Sequence, residues 1–328
     1  MLNRLTIKSF KSIKELNIDC SRINLFIGEP NAGKSNILEA LGLLSFIGNQ
    51  EYGNMSLHLH NYIRYKYFYN LFNDNILDVP IEISGLLDNI NFELKSYQKD
   101  SNIILKAKTR EVDIDTITAN FNELYGFNRV KEFCSIKYYK YMPIDNFDDI
   151  TGSPLTTPAG SNLYTVLATN PDIRNSIKIF FKNFGYRLRL KTVERQIEAQ
   201  REVGDMDFDY PISLLSDTLR RIMFYFVAIE SNKGSSLIFE EPESHSFPYY
   251  TKLLGEKIGR DINNQYFIAT HNPYLIKSVL EKANTGEADV YVTHFKDYQT
   301  NIVKLNEEQL SEFMEMDIDI FLNLRKYY

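Results

Sequence analysis

The octapeptide Gly28-Glu29-Pro30-Asn31-Ala32-Gly33-Lys34-Ser35 constrains this chain more than any other stretch. It fits G-x-x-x-x-G-K-[ST], and its flanks fit the same pattern. Ile23-Asn24-Leu25-Phe26-Ile27 is an apolar run of strand length, and residues 37–44 read as a helix that starts at the loop. Strand, glycine loop and helix form the setting in which this motif cradles phosphate. Gly28 and Gly33 let the loop curl so that its N–H groups converge on phosphate oxygens, and the helix N-terminus adds partial positive charge there. Lys34 is then placed to reach the β- and γ-phosphates, and the Ser35 hydroxyl to hold Mg²⁺. Glu29, Pro30, Asn31, Ala32 and Asn36 complete the expected nucleotide-binding set.

Composition narrows the class. A chain of 328 residues with 44% hydrophobic content supports a sizeable core, as one large α/β domain with an insertion or as two domains. The net charge of −6 argues against wholesale coating of nucleic acid and leaves room for a local basic patch. Cys20 and Cys134 stand far apart and match no metal spacing, which points to reduced thiols in a cytoplasmic protein. The start has no apolar signal region, and no run reaches 18 uninterrupted apolar residues, so no membrane span is expected.

Periodicity supplies the rest of the frame. Residues 5–10 and 16–19 alternate and predict two antiparallel strands leading into the loop strand. The helix after the loop is apolar on nearly every side through Ile47, with Gly48 as its expected stop. Residues 50–161 read as an α+β insertion packed on the nucleotide core, with strands at 80–84, 91–95 and 102–108, another at 135–141, and a loop at 148–160. Helices follow over 162–184. In residues 186–191 the leucines face one way and Arg187, Arg189 and Lys191 the other, which is either a solvated strand face or a stripe for a nucleic-acid backbone. Ser216 or Asp217 caps the next helix, and Asn272 with Pro273 starts a later one. Strands are expected at 235–239, 266–270, 289–295 and 301–305, with a short acidic helix at the end.

Two strand ends carry candidate chemistry. Leu237-Ile238-Phe239 runs straight into Glu240-Glu241. Acids at the C-terminal edge of a parallel sheet, beside a phosphate loop, can serve a metal and an attacking water. Glu240 is assigned to Mg²⁺, directly or through water, and Glu241 to the water; the alternative is a solvated acidic turn. His271 follows the next apolar strand and reads as a sensor of the γ-phosphate, or else as a satisfied strand-end histidine. His58 and His60 flank one leucine without a partner cluster and read as surface residues, while spacing assigns nothing to His245 or His294.

The order of these parts resembles the ABC-type ATPase heads, and among them the compact bacterial SMC/RecF-like and OLD-like AAA ATPases. The resemblance rests on Leu5 to Ser12, Gly160-Ser161-Asn162-Leu163, Ser216-Asp217-Thr218-Leu219-Arg220, and the strands ending in Glu-Pro-Glu and Thr-His. It implies an α/β head with a mixed central sheet flanked by helices, formed by residues 1–49 and 162–328. It also implies ATP and Mg²⁺ as cofactors, and a homodimer that sandwiches ATP between the P-loop of one copy and Ser216 of the other. ATP hydrolysis, antiviral defence or genome maintenance, and gating of an effector or a DNA transaction follow from the same resemblance. OLD-type nucleases carry a Toprim domain after the head; too little chain follows His271 for one, so the effector is expected to be a separate protein. Three departures point to slow turnover: no glycine between Asp217 and Thr218, Glu240 where the family has Asp, and His245-Ser246-Phe247-Pro248 in place of His-Leu-His-Pro. A non-catalytic nucleotide-dependent scaffold and a transporter's nucleotide-binding subunit are the competing readings.

Overall fold

A strand that is apolar at every position must be covered on both faces. Ile23–Gly28 (β3), apolar except at Asn24, is buried throughout. The computed structural model, which describes residues 1–49, 59–99, 102–110, 113–119, 124–125, 129–148, 152–315, 321 and 323–328, places it inside a six-stranded sheet. Its neighbours are Gln265–Ala269 (β14) on one side and Ala288–Lys296 (β15) on the other. Ser236–Glu240 (β13) and then Ile136–Tyr139 (β9) extend the sheet beyond β14, all parallel. Gln299–Lys304 (β16) closes the other edge antiparallel to β15. The sheet is therefore mixed, with its C-terminal edge gathering the loops after β3, β13 and β14.

Period-two alternation divides the core in two. Ile23, Leu25, Ile27, Leu237, Phe239, Tyr266 and Ile268 face one layer. That layer holds the helices Leu163–Thr169 (α2), Pro171–Lys182 (α3), Asp217–Ser231 (α4), Pro248–Arg260 (α5), Pro273–Leu280 (α6) and Glu307–Glu315 (α7). Phe26, Ile238, Phe267 and Ala269 face the other layer, where Lys34–Asn49 (α1) packs. The far side of α1 is covered by a seven-stranded antiparallel sheet. This arrangement explains why α1 is apolar nearly all round: it lies between two sheets. The central-sheet position of Asn24 does not break the rule. Its buried amide receives Ser21 N–H at 2.9 Å and donates to the carbonyls of Ser21 and Tyr266 at 2.8 and 3.1 Å.

The second sheet supplies the pairing that the sequence reading left open. Leu2–Phe10 (β1) and Ile13–Asp19 (β2) form the expected hairpin. Ile81–Leu87 (β4) pairs directly with β1, and Ile90–Lys99 (β5), Asn102–Lys108 (β6), Asp113–Ala119 (β7) and Leu124–Tyr125 (β8) continue outward. Strands inside residues 50–161 thus prolong the N-terminal sheet, and β9, from the same stretch, belongs to the central one. Periodicity reports a strand's faces and is silent on its partner. Gly48 is not the end of α1. A Cβ there would lie 2.4 Å from the Phe133 carbonyl, so the glycine permits close packing of two backbones.

A third sheet, Arg187–Lys191 (β10), Gln196–Val203 (β11) and Met206–Pro211 (β12), stands apart on the α2–α6 side. It decides the question of the basic stripe. Arg187 pairs with Glu202 at 2.8 Å, Arg189 with Asp209 at 3.2 Å and Lys191 with Glu198 at 2.7 Å. Arg187 and Lys191 are matched by carboxylates on the adjacent β11 and Arg189 by one on β12, so this face is no bare stripe for phosphates. Among the described residues no helix is long and apolar enough to cross a membrane.

Candidate functional site

The register brings the site together. Glu240 lies opposite Ala269, and Ala269 opposite Phe26, so the three strands run out at the same edge of the sheet, with β3 two residues longer. The residues that follow them therefore share one rim. A cleft of about 320 Å³ opens there, lined by Pro30, Asn31, Gly33, Lys34, Ser35 and Asn36 of the loop and by Glu240, Glu241 and His271. Gly28, Glu29 and Ala32 belong to the loop and lie off the cleft wall. Ser216 also lies off it, as the N-cap of α4, where its hydroxyl accepts Leu219 N–H at 3.3 Å. A larger cavity of about 1040 Å³ sits past the opposite end of β13, beside Ser235, and holds none of these residues.

The loop is shaped by close approach. At Gly33, with φ of +100°, a Cβ would fall 1.9 Å from Thr300 Oγ1. At Gly28 it would fall 2.1 Å from the Thr293 carbonyl oxygen. The β15–β16 hairpin thus buttresses the loop from outside. Lys34 is buried and its Nζ donates to the carbonyls of Gly28 and Glu29, each at 2.9 Å. Burial brings its pKa down to about 8, against the attraction of Glu241 and Glu240, so it is still mostly charged at pH 7. The N–H groups of Asn36 and Ile37 donate to the Gly33 carbonyl at 3.0 and 3.2 Å, and those of Lys34 and Ser35, the first two of α1, precede any intrahelical partner.

The acidic side is held by an unexpected network. One Glu240 oxygen accepts from Tyr138 OH at 3.1 Å, and the other lies 3.8 Å from the Arg64 guanidinium. Arg64 lines the cleft, and its Nε donates to Glu39 at 2.7 Å. Glu39, only 1% exposed on α1, also pairs with Lys11. Lys11 falls within the Leu5 to Ser12 stretch, but sequence assigned it no role at the site, and none to Glu39, Arg64 or Tyr138. The available signal was Glu39 itself, a lone charge within an apolar helix, which must be paired if buried. Ser12 joins the wall through Asn36, whose amide donates to its hydroxyl at 2.6 Å.

Glu241 adopts φ of +44°, a region that costs a non-glycine residue about 1–3 kcal/mol. Its N–H donates to the Ala269 carbonyl at 2.9 Å, and its carboxylate accepts from Ser244 OH at 3.2 Å. The strained backbone leaves the carboxylate 3.6 Å from His271 Nε2. Burial and the nearby Lys34 charge lower the His271 pKa, with Glu241 opposing, so the imidazole is neutral at pH 7. Of the other histidines, His60 stacks on Tyr65 at 4.0 Å and His294 on Tyr328 at 4.2 Å. The carbonyl of His245 accepts from Thr218 OH at 3.0 Å, and His58 lies outside the described residues.

Among the described residues no cluster of three or more His, Cys, Asp or Glu side chains could hold a metal alone. Mg²⁺ does not require one, since it keeps waters and substrate phosphates as ligands. The hydroxyl of Ser35 and the carboxylate of Glu240, hard oxygen donors on facing walls of the cleft, suit that ion.

The chain was compared with known proteins. A family model described as "AAA domain, putative AbiEii toxin, Type IV TA system" matches residues 23–277. A relative named "ATP/GTP phosphatase" from Helicobacter pylori (strain ATCC 700392 / 26695) is 24% identical over 326 residues, covering 84% of this chain and 87% of that protein. The SMC head domain from Thermotoga maritima superposes with a TM-score of 0.51 at 16% identity, over 93% of this chain and 99% of its own. An SMC head bound to the C-winged helix domain of ScpA gives a TM-score of 0.55 at 16% identity, over 94% and 99%. The structural likeness shows a shared fold. Because the family match runs from the first residue of β3 into α6, across the loop, both glutamates and His271, the chain belongs to this AAA-domain family, and its fold is shared with SMC head domains.

Proposed function

We propose that this protein binds ATP in the cleft, hydrolyses it, and dimerises around it to gate a separate effector protein or a DNA transaction in the cytoplasm. One observation carries the reading: the phosphate loop, Glu240, Glu241 and His271 converge on a single rim although more than 200 residues separate the first from the rest. Lys34 exchanges two carbonyl partners for phosphate oxygens, which are charged and bind an ammonium more strongly. Ser35 and Glu240 are the residues that would hold Mg²⁺, which when bound neutralises phosphate charge. Glu241 accepts a hydrogen bond from the attacking water and aligns it on the γ-phosphorus. The neutral imidazole of His271 offers a donor to the same phosphate, and its contact with Glu241 links the two.

Dimerisation is supported by exposed apolar side chains on the segments that carry Ser216, His245 and His271. Leu214, Phe247 and Tyr274 are exposed apolar side chains at 72%, 66% and 44%, close in sequence to Ser216, to the His245 turn and to His271. A second copy would cover them and bring the N-terminus of α4 to the γ-phosphate in trans. The relative named ATP/GTP phosphatase supports hydrolysis, and the SMC head bound to a ScpA domain is a precedent for a protein partner. The test is Glu241→Gln. Phosphate release should fall about 100-fold or more, while ATP holds the variant as a dimer by light scattering. A variant that hydrolyses normally and stays monomeric with ATP would overturn the reading. The longer Glu240 side chain and the missing signature glycine favour, as second reading, a scaffold that binds ATP without turnover. For a scaffold, Glu241→Gln changes little and the wild type releases no phosphate.

A further inference from the structure

The turn after β13 carries a third acid that the site described above does not use. Glu243 is 6% exposed. One of its carboxyl oxygens accepts from the Thr270 hydroxyl. The Thr270 hydroxyl in turn accepts Asn272 N–H at 2.9 Å. Asn272 then caps α6, receiving Tyr274 N–H at 2.9 Å and Leu275 N–H at 3.3 Å. One buried carboxyl therefore holds Thr270, the residue before His271, and through its hydroxyl the N–H of Asn272, the residue after it. Its own turn is closed by Ser244 N–H to the Glu241 carbonyl at 3.0 Å and Ser246 N–H to the Glu243 carbonyl at 2.9 Å.

Burying a carboxyl is costly, and an apolar side chain would fill this position at less expense in stability. The second oxygen, Oε2, is buried with no protein partner, which adds to that cost. What the carboxyl supplies in return is a tie between two loops that otherwise belong to different strands. Glu241 leaves β13 and His271 leaves β14, and their side chains stand 3.6 Å apart.

We propose that Glu243 is the positioning residue of this site, locking the β14 turn to the β13 turn and so fixing His271 against Glu241. The proposal rests on the hydrolysis reading given above. Displacement of a reacting group by 1 Å costs about 100-fold in rate. Glu243→Ala in the full chain should therefore lower kcat by about 10- to 100-fold with KM for ATP within about two-fold. Glu243→Gln keeps a carbonyl acceptor for the Thr270 hydroxyl and should stay within about three-fold of the wild type. In histidine-labelled protein, the His271 ring resonance should move toward that of a free imidazole in Glu243→Ala and hold its place in Glu243→Gln. Thr270→Val removes the same tie without emptying the site, and it should reproduce the kcat loss and the shifted resonance if the alanine variant does not fold. Unchanged kcat in folded Glu243→Ala, equal losses in the Ala and Gln variants, or an unmoved His271 resonance would overturn the proposal. A wild-type chain without turnover would sink the hydrolysis reading alone, because the resonance arm judges the tie without it.

Discussion

Glu39→Leu isolates the buried charge cluster that backs the cleft. Glu39 is 1% exposed, Lys11 12% and Arg64 60%. Removing one partner of a buried pair costs about 3–5 kcal/mol, because the other charge is left desolvated. The exposed Arg64 adds at most about 1 kcal/mol, since solvent screens it. Lys11 keeps one acceptor, the Arg64 carbonyl at 2.6 Å, which places the expected loss at the lower end, about 3 kcal/mol. Lys11→Met in the same background removes the stranded ammonium, so the double variant should return to within about 1 kcal/mol of the wild type. The pH dependence has a definite sign. Burial already holds the Lys11 pKa below 10.5, and losing Glu39 removes its main opposing influence. The folded variant then binds fewer protons than the unfolded chain, so its stability rises with pH below 10.5. Urea unfolding followed by circular dichroism, at neutral and mildly alkaline pH, measures all three quantities. A single-variant loss under about 1 kcal/mol, or a double variant less stable than the single one, would refute the reasoning.

Gly33→Ala should cost about 2–4 kcal/mol or displace the loop, through its positive φ and the collision with Thr300, and abolish ATP binding; Thr300→Gly should recover only the collision. Burial raises the Glu243 pKa from 4.5 to about 7, so the folded chain holds a proton there that the unfolded chain has released. Stability should therefore fall by about 3 kcal/mol from this group as pH rises from about 4.5 to 7. Unfolding curves of Glu243→Gln across that range should lack this slope. Ser216→Ala should lose about 1 kcal/mol as a helix cap and, in light scattering, weaken the ATP-dependent dimer more than that loss explains.

What could be read from sequence was local. The loop motif, the β13 and β14 strand ends and the Asn272 cap depend on neighbours in the chain, and each stands where its residues pointed. What escaped depends on pairing. The alternation of residues 81–108 showed strands without revealing that β4 docks on β1. The β10 cations left a solvated face and a nucleic-acid stripe both open, because their partners Glu198, Glu202 and Asp209 lie on β11 and β12, apart from them in the sequence. Arg64 reaches the cleft from a stretch without clear period, held by a helix residue 25 positions earlier. A charge in the middle of an apolar helix is the kind of local conflict that marks a tertiary contact, and Glu39 was such a mark.

The central claim is that Lys34 and the loop around it grip the phosphates of a nucleoside triphosphate. Isothermal titration of ATP-Mg²⁺ into the wild type and into Lys34→Met tests it most directly. A charge-assisted bond to phosphate is worth about 1.5–3 kcal/mol, so affinity should weaken about 10- to 150-fold while the unfolding transition stays in place. Equal affinity in the two proteins would contradict the account.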